Sequence, residues 1–171
     1  GYFCSSNEML NRLHRNIVWS LKSNFIDVPT DCPQRDERMG WTGDAQIFCS
    51  TACFLMGADR FYRKWLDDLK CDQKEDGRVP HVIPDIVTNT KVTGFLRQGT
   101  DSAAAWADAA VIIPWQLYLS YGDIEVLENQ YPSMKKWVDF IYRHSDGAVW
   151  KYKLQFGDWV ALDAEEGSYF G

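Results

Sequence analysis

Apolar residues recur at intervals of three and four along most of this chain. Met9, Leu10, Leu13, Ile17, Leu21 and Phe25 form the first stripe, a spacing that puts side chains on one face of an α-helix. Just upstream, Ser5-Ser6-Asn7-Glu8 reads as a capping box, with Ser5 as N-cap and Glu8 reaching back. Pro29 and Pro33 close the segment. Asp44 is the expected N-cap of a second helix to about Met56, carrying Ala45, Ile47, Phe48, Ala52 and Leu55. Gly57 ends it, and Asp59 caps a third with Phe61, Tyr62, Trp65, Leu66 and Leu69. Two more stripes follow. The pattern predicts helices near residues 6–26, 44–56, 59–70, 102–121 and 123–144, with Pro114 kinking the fourth and Pro132 interrupting the fifth.

The periodicity fails between these helices. Residues 27–43 hold a polar loop, and Cys71 to Thr100 mixes Pro80, Pro84, Gly77 and Gly94 with short apolar pieces such as Val79 to Ile83. An irregular stretch of ~30 residues is unusual in a compact domain and often functional. His144-Ser145-Asp146-Gly147 signals a turn, and the loose alternation from Ala148 to Leu154 suits a short strand or hairpin. Phe156-Gly157-Asp158-Trp159 opens another loop. Helices joined in this way pack as antiparallel hairpins. Neither end of the chain reads as a natural boundary, so an excerpt of a larger protein is expected.

Composition narrows the picture. At 171 residues, 46% hydrophobic and 25% charged, the chain suits one globular domain. A formal charge of −6 and a pI near 5.0 argue against nucleic acid and anionic membrane as partners. No apolar run approaches the ~18 residues of a bilayer span. The five cysteines follow no disulfide spacing. Cys49 and Cys53 share a helix face, as a metal pair or, more ordinarily, as small core residues. Eight Trp, eight Tyr and nine Phe build either a large-residue core or a ring-lined groove; most fall at helical spacing, while Trp41 and Trp159 do not.

The chemistry concentrates in Asp31-Cys32-Pro33-Gln34-Arg35-Asp36-Glu37-Arg38-Met39-Gly40-Trp41-Thr42-Gly43-Asp44. Such a run is either a solvated charged surface or a site. Glycoside cleavage needs a protonated carboxyl at the leaving oxygen and, with inversion, a second carboxylate to activate water. A carboxyl crowded by others keeps its proton near neutral pH, and Glu37 lies among Asp31, Asp36 and Asp44 in sequence. Asp31 is a turn former or a rigidly aimed acid, and Asp44 a helix cap or a ligand group. The glycines beside Trp41 allow close backbone approach, so its ring serves a site or plugs the core. Asp108, in Trp106-Ala107-Asp108-Ala109, faces a pocket or is buried and satisfied. No Cys–His arrangement supports thiol catalysis, and the carboxylate spacing matches no calcium loop.

Taken together, the motif from Asp31 to Asp44, then Lys64-Trp65-Leu66, Asp76-Gly77-Arg78-Val79-Pro80, Trp106-Ala107-Asp108-Ala109 and Phe156-Gly157-Asp158-Trp159, resembles in order the α-L-rhamnosidases of glycoside hydrolase family 78. The resemblance covers nearly the whole chain. It implies an all-α fold, with residues 1–171 the N-terminal portion, roughly the first half, of an (α/α)6 barrel. It implies inverting hydrolysis of terminal α-L-rhamnose, with a rhamnose-containing glycoside and the remainder of the same barrel as partners. No cofactor and no metal are implied. By motif position Glu37 is the general acid; Asp31, Trp41 and Asp44 line the rhamnose subsite, and Trp106 and Trp159 bound it. The family's general base is a Glu on a late barrel loop with no matching segment here. The isolated fragment is therefore expected to be inactive and to expose apolar helix faces. Another (α/α)6 glycosidase of different sugar specificity, or a non-catalytic sugar-binding remnant, are the alternatives.

Overall fold

Five helices account for the regular structure of the described residues: α1 (Glu8–Asn24), α2 (Thr42–Leu55), α3 (Asp59–Asp72), α4 (Ala109–Tyr121) and α5 (Ile124–His144). The structure is a computed structural model that describes residues 2–88, 101–153, 155–158 and 161–162. Among the described residues there is no named strand, only isolated bridges such as Asp146 with Val149 where a short strand or hairpin was expected. No helix is long and apolar enough to cross a membrane among those residues.

The core follows the apolar stripes. Tyr62, Trp65, Leu66 and Leu69 of α3 pack with Ile113 and Leu117 of α4 and with Val126, Trp137 and Phe140 of α5. Helix α2 adds small residues, Ala45, Cys49 and Ala52. Cys49 is thus the small core residue that its spacing allowed. Helix α4 is central, touching α2, α3 and α5. The buried Tyr62 hydroxyl donates to the carbonyl of Ala45 at 3.1 Å, satisfying a polar group that would otherwise be costly there. Trp65 and Trp137 belong to this core, which answers the question of core against groove for those two, while Trp19 and Trp115 are exposed.

Several helix starts differ from the sequence expectation. Asn7, not Ser5, caps α1, its side chain accepting from the amides of Met9 and Leu10. The Ser5 hydroxyl instead accepts from the Asn7 amide. Asp44 is not a cap either: Trp41 is the N-cap of α2 and Asp44 lies in its first turn. Asp59 likewise follows the cap residue, Ala58. Helix α4 begins at Ala109 rather than 102, because Ser102 and Ala105 adopt positive φ angles of 64° and 62° that no right-handed helix accepts. Pro132 lies within α5, which runs through it. The last junction matches the reading: Gly122 ends α4 in the left-handed conformation, and Asp123 caps α5 by accepting from Val126.

The α1 stripe is mostly outside. Leu21 is buried, but Met9 is 78% exposed, and Leu10, Leu13 and Ile17 are exposed as well. Ile47 and Phe54 of α2 and Trp115 and Leu119 of α4 also face outward. The expected exposed apolar surface is present on these helices.

Candidate active site

The irregular segments converge at the start of α2. Residues 79–83 run between two others as an extended tie. The Ile83 amide donates to the carbonyl of Gly40 at 2.9 Å, and the Thr42 amide to that of His81 at 2.9 Å. On the other side, the Ser102 amide donates to the Val79 carbonyl at 3.0 Å, and the Val79 amide to the Ser102 hydroxyl at 3.2 Å. The Trp65 indole reaches up from the core to the Ile83 carbonyl at 3.1 Å. The broken pattern between Val79 and Ile83 therefore marks a buried connector that joins the first motif to Trp106.

Two glycines permit this closeness. A Cβ on Gly40 would stand 2.1 Å from the Ile83 carbonyl oxygen, and one on Gly43 would stand 2.8 Å from the Trp106 indole. Only a residue without a side chain fits either position unchanged.

Within the motif the loop is fastened by its own polar groups. The Asp31 amide donates to the Met39 carbonyl at 3.1 Å, and the Asp31 carboxylate accepts from the Met39 amide at 3.3 Å. Arg38, at φ 49°, supplies the left-handed reversal between them; a non-glycine residue there costs roughly 1–3 kcal/mol. Arg35 lies 2.6 Å from Glu37 Oε2 and 3.6 Å from Asp31 Oδ2. The Trp41 indole donates to Glu37 Oε1 at 2.9 Å. Glu37 thus has donors as its direct partners, where sequence proximity suggested crowding by carboxylates. That crowding is felt at Asp44. Its pKa is raised, first by partial desolvation and then by the charges of Asp31 and Glu37, against a backbone hydrogen bond that lowers it.

Ligand atoms of Asp31, Cys32 and Glu37 lie within 4.8 Å of one another. Arg35 already brings a cation to this group: it pairs with both carboxylates, and its own pKa is raised, first by a hydrogen bond with Cys32 and then by Glu37.

Beside the loop opens a cleft of about 560 Å³, lined by Asp31, Asp44, Phe48, Trp106 and Gly157 among others. Glu37 and Trp41 do not form its wall. They are joined to it through Arg35, which pairs with Asp31, and through the aromatic contact described next. The ring of Phe156, buried, lies 4.4 Å from Trp106, 4.8 Å from His81 and 6.4 Å from Trp41. Phe156 of the last motif therefore sits at the same end of the helices as the first motif. Trp159 itself lies outside the described residues, as do Asp163, Glu165 and Glu166.

The sequence offers two readings of Asp108, pocket-facing or satisfied within the fold, and assigns His81 no part in the site. Asp108 is structural: its carboxylate accepts from the Trp137 indole at 2.9 Å and from the Ala105 amide at 2.8 Å. His81 is buried at the centre of the tie, and a lone histidine among short apolar pieces carries no signal of that in the sequence.

Comparison with known proteins places the chain in a family. Residues 1–170 match the family described as the bacterial alpha-L-rhamnosidase 6 hairpin glycosidase domain. An alpha-L-rhamnosidase of Formosa agariphila is 42% identical over 171 residues, all of this chain and 17% of that protein. One from Streptomyces avermitilis is 43% identical over 157 residues, 92% of this chain and 14% of that protein. The chain thus spans about a sixth of the length of these relatives. Among solved structures, the Streptomyces avermitilis alpha-L-rhamnosidase complexed with L-rhamnose superposes with a TM-score of 0.82 at 41% identity, over 95% of this chain and 15% of that one. The native Aspergillus terreus enzyme gives 0.81 at 43% identity, over 95% and 18%. Among the described residues the regular structure is all helical, and the chain covers part of these six-hairpin glycosidases. It belongs to the bacterial alpha-L-rhamnosidase six-hairpin glycosidase family.

Proposed function

We propose that the full-length protein carrying this chain hydrolyses terminal α-L-rhamnose from glycosides with inversion of configuration, and that Glu37 is the general acid. The observation that carries this is the placement of Glu37. It is held by Trp41 and Arg35, one residue removed from a cleft that two further acids and an indole line. The family supports the sugar, and the Streptomyces avermitilis relative is known in complex with L-rhamnose.

In this reading Asp31 and Asp44 accept hydrogen bonds from sugar hydroxyls, because a carboxylate offers several lone pairs and no competing donor. Trp106 presents a ring to the sugar's C–H face, and Trp41 orients Glu37 while closing the far side. Trp159, by motif position, bounds the same subsite. A guanidinium has donors only, so Arg35 must give up Glu37 Oε2 when that oxygen carries the catalytic proton. The substrate's glycosidic oxygen then takes Arg35's place. The proton passes from Glu37 to that oxygen as the C–O bond breaks. Water attacks the anomeric carbon from the opposite face, and a base supplied elsewhere in the protein takes its proton. An inverting pair stands ~6.5–9.5 Å apart.

Hydrolysis of nitrophenyl α-L-rhamnoside and of the corresponding glucoside by the full-length protein tests the reading. Turnover of the rhamnoside, with the β-anomer appearing first by NMR, is the expected result. Preference for the glucoside would assign a different sugar, and binding of rhamnose without turnover would leave a sugar-binding protein.

A further inference from the structure

The reaction proposed above uses no atom of His81, yet three segments meet on it. The residue is 3% exposed. Its carbonyl accepts the amide of Thr42 at 2.9 Å and the Thr42 hydroxyl at 3.0 Å, fixing the first residue of α2. Its ring Nε2 accepts the Ala103 amide at 3.1 Å, three residues before Trp106. The ring also packs edge-on to Phe156, with centroids 4.8 Å apart, and Phe156 carries both Trp106 and Trp41 on its other sides.

The ring must be neutral to do this. An imidazole that accepts at Nε2 keeps its proton on Nδ1, and the cation has no acceptor left. Burial pushes the His81 pKa down to about 4, against a smaller opposing effect of Asp85. Its Nδ1 has no hydrogen-bond partner among the described residues. The ring is therefore held by one accepted hydrogen bond and by its packing on Phe156, both of which point toward the subsite tryptophans.

We propose that His81 is a positioning residue for the sugar subsite: through Ala103, Thr42 and Phe156 it sets where Trp106 and Trp41 stand relative to Asp44. The link to sugar binding rests on the rhamnosidase reading; the packing claim does not.

Two substitutions separate the two contacts. Glutamine offers an acceptor at about the reach of Nε2 but no ring, and phenylalanine offers a ring but no acceptor. In the full-length protein, His81→Phe should raise KM for nitrophenyl rhamnoside about tenfold with a smaller change in kcat. Amide exchange in the peptide containing Ala103 should quicken in the same variant. His81→Gln should recover most of the lost affinity and the Ala103 protection. Unchanged KM and exchange in His81→Phe would overturn the proposal. So would a fall in kcat at constant KM, which would put His81 in the chemistry instead. If the wild-type protein turns over no rhamnoside, the substrate reading fails, and the exchange contrast between the two variants alone decides the packing claim. Should His81→Phe not fold, Phe156→Leu takes its place: a raised KM with Ala103 still protected is expected, and an unchanged KM overturns the proposal.

Discussion

The Trp41 indole donates to Glu37 Oε1 at 2.9 Å, across the turn that Arg38 reverses with a left-handed backbone. This relationship ties the aromatic residue to the acid rather than to the open cleft. Trp41→Phe keeps a ring against Phe156 and removes the donor. A hydrogen bond to a charged group contributes about 1.5–3 kcal/mol, so kcat/KM on unactivated rhamnosides should fall roughly 10–100-fold with the fold intact. Steady-state kinetics with matched circular dichroism checks this; an unchanged kcat/KM would mean that Glu37 is oriented by Arg35 alone.

Glu37→Gln fills the same space and still accepts from Trp41, but cannot donate a proton to the glycosidic oxygen. General acid catalysis is typically worth roughly 10²–10⁴-fold. The loss should approach that range on natural glycosides and shrink on dinitrophenyl rhamnoside, whose leaving group needs little protonation. Asp44→Asn should show the other behaviour, weakening binding and turnover alike with no rescue by leaving-group acidity. Equal losses for Glu37→Gln on both substrates would remove Glu37 from the acid role.

The two glycines of the motif should fail differently. Gly40→Ala drives a Cβ into the Ile83 carbonyl oxygen at 2.1 Å, a backbone group with no flexible side chain to yield. It should lower stability by about 1–3 kcal/mol or more, as overpacking does. Gly43→Ala meets the edge of the Trp106 ring at 2.8 Å, and a side chain can rotate. Its main effect should be a raised KM with a small change in Tm. Thermal melts and KM values for the pair test the distinction; identical profiles would mean that Trp106 is as immobile as the backbone.

The helical stripes were legible because burial follows period: Tyr62, Trp65, Leu66 and Leu69 recur at helical spacing and all lie in the core. The α1 stripe has the same spacing and stays largely exposed, because periodicity shows which face is apolar and not what covers it. Helix starts misled for a local reason. Ser5, Asp44 and Asp59 are all good caps, but capping is a backbone geometry, and here Asn7, Trp41 and Ala58 occupy it. The first motif stood out by density of charge. Its dependence on residues 79–83 did not, since hydrogen bonds between main chains such as Ile83 to Gly40 leave no mark on side-chain pattern. Arg35 stands in the motif among its acids. That it holds Glu37, at 2.6 Å, rather than leaving it among carboxylates, needed the fold of the loop.

His81 also makes the domain's stability depend on pH in a defined direction. Its pKa falls from an ordinary 6.5 to about 4 on folding because the ring is buried. Between those values the unfolded chain binds the proton and the folded chain does not, so lowering the pH favours unfolding. The contribution is complete above pH 6.5, is lost as the pH falls toward 4, and changes no further below that. At 1.36 kcal/mol per pKa unit, the full span is about 3 kcal/mol. Asp44 and Asp101 act in the opposite sense, since desolvation raises both and the folded state then holds their protons more tightly. A direct comparison removes them, because they are shared by wild type and His81→Gln. Wild type should therefore lose ground to the variant steadily from pH 6.5 to 4, read as a narrowing or reversal of the Tm difference across that range. A Tm difference that stays constant across that range would overturn the pH dependence assigned to His81.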